Sequence, residues 1–150
     1  MVKLSEEEIW LRLAGAHTAI VTTLRRDGMP ISLPVWFVVE DRTVVFSSPT
    51  RARKVDRLVR DPRAALLVES GRYWRDLAAV HLTGTVQFER DKAEIQRLDG
   101  LIARKYAPYR DTAAMPHKAQ QHYAEKTFMR LVPEERVLSW DNSRIALGSI

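Results

Sequence analysis

Two alternating runs meet at one short turn near the N terminus, and that turn limits the folds open to this chain. His17 to Arg25 (HTAIVTTLR) is rich in β-branched residues and alternates, so it reads as a strand. Asp27-Gly28 follows, a dipeptide suited to a tight hairpin turn. Beyond it Ile31, Leu33, Val35, Phe37 and Val39 point one way, and Ser32, Pro34 and Trp36 the other. Pro34 has no N–H to give a ladder, so this strand is expected at an edge, or bulged, with neighbouring backbone groups free. An ordinary edge proline is the plainer alternative. A second tight turn then leads into a strand from Thr43 to Ser47.

The remaining elements are read the same way. Ser5 and Glu8 form a capping box for a helix over Ser5 to Ala14, with Leu4 stapled onto Ile9. Arg63 to Glu69 is an apolar run, expected as a buried strand after Asp61-Pro62 ends the preceding helix. Ala78 to Glu89 is a long strand interrupted at Gly84, which suggests a bend or a close backbone approach. Asp91 and Glu94 cap a helix that buries Ile95, Leu98 and Ile102 and runs to about Tyr106. A short helix over Met115 to Ala124, strands over Thr127 to Val132 and Arg136 to Trp140, and an aperiodic tail from Asn142 complete the chain. That makes about seven strands and at least three helices, and helices do not follow every strand. The expectation is one domain over 1–150, mainly β with peripheral helices, closed as a mostly antiparallel barrel.

The corner after Thr43 to Ser47 carries the clearest chemical signal. Ser47, Ser48 and Thr50 precede a helix whose apolar residues Ala52, Val55, Leu58 and Val59 recur at helical spacing, with Thr50 as its expected N-cap. Arg51, Arg53 and Lys54 crowd the end where the helix dipole is already positive. Hydroxyls, free N–H groups and cations converging there suit an anion, a phosphate above all. Set beside this is the plain alternative that the cations face water.

Bulk properties narrow the field. The 150 residues carry a net charge of +5 and no cysteine. The charge favours an anionic partner, and the missing cysteine excludes disulfides and thiolate metal sites. The basic residues are dispersed, without a helix-turn-helix, zinc finger or aromatic RNA-binding pattern, so nucleic acid is not the expected partner. Met1 to Glu8 is acidic and polar, and no apolar run could span a bilayer; a cytoplasmic protein away from membranes is expected.

No dedicated catalytic set appears. His17, His81, His117 and His122 include no i, i+4 pair, so no metal site is expected. G-x-S-x-G, G-x-G-x-x-G and the Walker lysine loop are absent. An enzyme built on this sequence would borrow its chemistry from a cofactor. Of Trp36, Trp74 and Trp140, which could serve core, interface or cofactor, Trp36 is the cofactor candidate because it shares a strand side with Pro34 and Ser32.

In order and spacing, the D-G hairpin, P-V-W-F, the F-S-S-x-T-x-x-x-K helix start and R-D-P-R-x-A-L-L resemble the pyridoxamine 5′-phosphate oxidase-like, FMN-binding split-barrel superfamily. Within it the chain is most similar to the flavin/deazaflavin oxidoreductases, over roughly residues 7–141. The resemblance implies a six-stranded antiparallel split β-barrel, a homodimer and cofactor grooves at the subunit interface. It also implies ring contacts from Pro34, Val35 and Trp36, and a phosphate held by Ser47, Ser48, Thr50, Arg53 and Lys54. Ser32 and Trp74 join these as cofactor-site candidates, with Trp74, or Trp140 in its place, expected to reach a groove across the dimer. The arginine-rich segment that recognises pyridoxal phosphate in the vitamin oxidases has no counterpart in LSWDNSRIALGSI. True pyridoxamine phosphate oxidase activity is therefore not expected; by charge and subfamily resemblance the expected cofactor is the deazaflavin coenzyme F420, whose tail suits Arg51, Arg53, Arg57 and Arg60, with FMN as the alternative. The expected activity is hydride transfer to an electron-poor small-molecule acceptor, its pocket lined by loops 70–78 and 107–126. Binding of the cofactor without turnover is the rival reading.

Overall fold

In the computed structural model, which describes residues 2–111 and 115–146, the chain forms eight strands and four α-helices. The strands are β1 (Ala19–Leu24), β2 (Pro30–Val35), β3 (Phe37–Glu40), β4 (Thr43–Pro49), β5 (Arg63–Ser70), β6 (Ala78–Phe88), β7 (Lys126–Pro133) and β8 (Leu138–Asp141). The helices are α1 (Glu6–Gly15), α2 (Arg53–Arg60), α3 (Lys92–Tyr106) and α4 (His117–Ala124). All pairings are antiparallel, in the order β2-β1-β5-β6-β7-β4-β3, with β8 beside β6.

This order closes on itself. β2 and β3 stand at opposite edges of the sheet, yet only Trp36 separates them in sequence. They are two halves of one run, broken where the barrel splits. β7 and β8 likewise share one side of the long β6, meeting Gly84–Phe88 and Ala78–His81. Eight strands thus make six runs, and the expected six-stranded split barrel is the architecture found.

Alternation fills the barrel. Val21, Val35, Phe37, Phe46, Leu66, Leu82 and Leu131 point inward, and α1 and α2 add Ile9, Leu13, Val55 and Leu58. The Ser5–Glu8 capping box is present, and Leu4 joins Ile9 in the core. A second apolar cluster lies outside the barrel, where Leu98, Ile102 and Tyr106 of α3 cover Val38, Val45 and Phe128. Gly84 is a close approach, since a Cβ there would sit 2.1 Å from the Val132 carbonyl oxygen.

Several expectations need correction. β5 is not buried on both sides: Ala64, Leu66 and Val68 face the core while Ala65 and Leu67 are half-exposed. Val59 is exposed rather than part of the buried face of α2. β8 begins at Leu138, two residues late. Asn142–Arg144 forms a 3-10 turn capped by Asp141 within the segment expected to be aperiodic. The end of that tail and residues 112–114 of the expected 107–126 loop lie outside the described residues. No helix among the described residues is long and apolar enough to cross a membrane.

Candidate functional site

A groove of about 1080 Å³ opens at the split. One wall is Pro34, Val35 and Trp36, where β2 gives way to β3. Pro34 pairs with Ile20 on an edge strand, so the missing N–H costs no ladder bond. The floor is the end of β4, with Ser47 and Ser48, followed by Ala52 and Lys54 of the α2 entry. The far wall comes from the end of α3 and from α4, through Ile102, Gln120 and Tyr123 among others.

Lys54 is the unusual residue. It is buried, yet it makes no hydrogen bond or ion pair among the described residues. Burial, with Arg57 nearby, pushes its pKa below the ordinary lysine value. A buried ammonium without a partner is costly unless an anion joins it. The helix end beside it adds to that demand: the N-cap of α2 is Ala52, whose side chain caps nothing. Thr50 is therefore not the N-cap. Its hydroxyl accepts from Thr127 Oγ1 at 3.0 Å and its N–H donates to Glu125 O, so it ties β4 to the entry of β7. Charge around the groove is mainly positive, with Lys54, Arg110 and Lys126 against Asp111.

Trp36 is anchored from behind. Its indole lies parallel to the Tyr106 ring, with centroids 4.3 Å apart, and His17 meets its edge. Nothing in the sequence singled out Tyr106; the only signal was its place at the end of the buried face of α3. Lys105, also missed, donates to Phe37 O at 2.9 Å and sits 3.9 Å from the Phe37 ring centroid.

Of the ten residues picked out from sequence, Pro34, Val35, Trp36, Ser47, Ser48 and Lys54 meet in this groove. Ser32 stays on β2, bonded to the Thr22 hydroxyl at 2.8 Å. Arg53 is exposed beside Lys54 at the start of α2. Trp74 is exposed on a 3-10 turn before β6, its carbonyl held by Asn142. Arg57 and Arg60 donate to Thr23 Oγ1 and Leu24 O of β1, whereas Arg51, just before α2, and Arg53, like Lys54, make no hydrogen bond or ion pair among the described residues.

The profile of the family described as pyridoxamine 5′-phosphate oxidase matches residues 5–138. No curated protein matches the chain in sequence. Among solved structures, a conserved hypothetical protein of Mycobacterium tuberculosis superposes with a TM-score of 0.81 at 23% identity, covering 99% of this chain and 92% of that one. An FAD-binding protein of Mesorhizobium loti gives 0.70 at 19%, covering 93% and 96%. The heme storage protein HutZ of Vibrio cholerae gives 0.71 at 14%, covering 93% and 98%.

Proposed function

Because the chain belongs to the pyridoxamine 5′-phosphate oxidase family, we propose that its groove holds a phosphate-bearing flavin-type cofactor, coenzyme F420 in the first instance and FMN as the alternative. The bound cofactor supplies a hydride to an electron-poor organic acceptor. The observation that carries this reading is Lys54, a buried cation without a partner among the described residues, at an uncapped helix start. Ser47, Ser48 and Arg53 assist it at the phosphate, and Pro34, Val35 and Trp36 border the ring system. The fold relative from Mesorhizobium loti, named for FAD binding, supports a flavin-type group. Arg51, Arg53 and Arg110, without carboxylate partners among the described residues, favour the anionic tail of F420 over FMN. The protein contributes orientation and exclusion of water.

We also propose a homodimer. A row runs in register across the outer face of the barrel through Pro34, Ile20, Leu67, His81 and Leu138. It is apolar except for His81, and Leu138 is 53% exposed. Pro34 belongs both to this row and to the groove, so a second copy seated here would border the cofactor. Trp74, on the 3-10 turn before β6, is the candidate to reach the other subunit's groove.

Fluorescence titration with F420 and with FMN tests the cofactor reading. The wild type is expected to bind F420 more tightly, and Lys54→Ala to lose about 10- to 100-fold, as for removal of a charged hydrogen bond. Equal affinity in the variant, or binding of neither cofactor, would remove the proposal. The fold of HutZ, a storage protein, favours one second reading, cofactor binding without turnover. Reoxidation of reduced F420 by a quinone, enone or nitro acceptor in the presence of the protein separates the two.

A further inference from the structure

The break between β2 and β3 is held by one side chain. Tyr106, the last residue of α3, is fully buried. Its hydroxyl donates to the His17 carbonyl at 2.7 Å and accepts the Phe37 N–H at 2.9 Å. His17 leads into β1 and Phe37 opens β3, so a single oxygen ties the two sides of the split. Burial pushes the phenol pKa up, against the opposing effect of the Phe37 bond, and the proton stays available for His17. The ring of the same residue lies within 5° of parallel to Trp36, while Trp36 keeps 36% of its surface exposed and lines the groove.

We infer that Tyr106 is a positioning residue for the groove: its ring fixes Trp36 as a shelf for the planar ring system of the bound cofactor, while its hydroxyl holds the split together. This rests on the cofactor reading above. The two tasks belong to different atoms and are separable. An indole in a broken strand, left unsupported, has several staggered conformers open to it. Fixing it only on binding would weaken affinity, whereas a shelf locked beforehand avoids that loss.

Three proteins test this: the wild type, Tyr106→Phe, which keeps the ring, and Tyr106→Met, which fills the space without one. Each is titrated with FMN and with F420 well below its melting temperature, and near-UV circular dichroism of the cofactor-free proteins reports the Trp36 environment, with Trp36→Phe identifying its band. Tyr106→Phe is expected to melt earlier, because the Phe37 N–H and His17 carbonyl lose their partner, yet to bind within about twofold of the wild type. Tyr106→Met is expected to lose about tenfold or more in affinity together with the Trp36 band. Binding by Tyr106→Met within twofold of the wild type would overturn the inference, as would equal losses in the two variants. Should Tyr106→Met not fold, the cofactor-free Tyr106→Phe decides: a retained Trp36 band with wild-type affinity upholds the shelf, and a lost band overturns it. A wild type that binds neither cofactor would overturn the cofactor reading and this inference together, a result distinct from tight wild-type binding that Tyr106→Met leaves unchanged.

Discussion

Lys54 and Lys105 are two amines drawn out of water in different surroundings. Lys54 borders the groove without a partner among the described residues, whereas Lys105 donates to the Phe37 carbonyl and covers the Phe37 ring. Burial pushes Lys105 down to about 8 from an ordinary 10.5. Between those values the unfolded chain holds more protons than the folded one, so this group's contribution makes stability rise with pH across that window. Below about pH 8 its charged form opposes folding in full. The stability difference between Lys105→Met and the wild type is therefore expected to move in the wild type's favour from pH 8 to 10. Urea midpoints of both proteins at each pH measure it; a constant difference would show that Lys105 titrates as if in water. Lys54 was legible in the sequence because a cation at a helix start is locally anomalous. Lys105 and Tyr106 were not, since their partners His17 and Phe37 are at least 68 residues away in the chain.

The start of α2 shows how far a local pattern can be read at the level of an element. The capping box of α1 is complete within four residues and appeared as expected. Thr50 looked equally suited to its own helix, but Thr127, 77 residues away, takes its hydroxyl, and the helix begins only at Arg53. In the proposed reading, the uncapped start is where the cofactor's phosphate binds. Ala52→Ser is expected to stabilise the cofactor-free protein by about 0.5–1 kcal/mol through a new cap. Ala52→Asp should stabilise it similarly, with added favour from the helix dipole, but place a carboxylate beside Lys54 and weaken FMN or F420 binding. Thermal melts paired with cofactor titrations read both effects; an Ala52→Asp protein that binds as tightly as Ala52→Ser would show that no anion sits at this helix start. Gly84 makes the complementary case, in which the sequence signal was sufficient. It pointed to a bend or a close approach, and the Val132 carbonyl occupies the place of a side chain. Gly84→Ala is expected to cost about 2 kcal/mol or more in urea unfolding, because backbone rather than a flexible side chain must yield.

At the scale of the whole molecule, one strand joins the barrel, the groove and the proposed dimer. The run Pro30–Glu40 starts at one edge of the sheet, breaks at Trp36 and ends at the other, so the closure of the ring and the opening of the groove are one event. Alternation in the sequence revealed its two faces, but not that its halves lie at opposite edges, because that depends on the order of all the other strands. The outer side of its first half, through Pro34, continues the row Ile20, Leu67, His81 and Leu138. Leu67 stands at the middle of that row and is half-exposed, so Leu67→Arg puts a charge at the centre of the face without filling core space. In sedimentation velocity the wild type is expected at twice the chain mass and Leu67→Arg at the mass of one chain, with an unchanged far-UV circular dichroism spectrum. Desolvating an unpaired guanidinium in an apolar contact opposes association enough to separate the subunits. A wild-type monomer, or a variant that remains dimeric, would remove this face as the contact. Because Pro34 lies on both the row and the groove, the monomeric variant is also expected to bind F420 or FMN more weakly than the wild type, even though every groove residue of its own chain is intact.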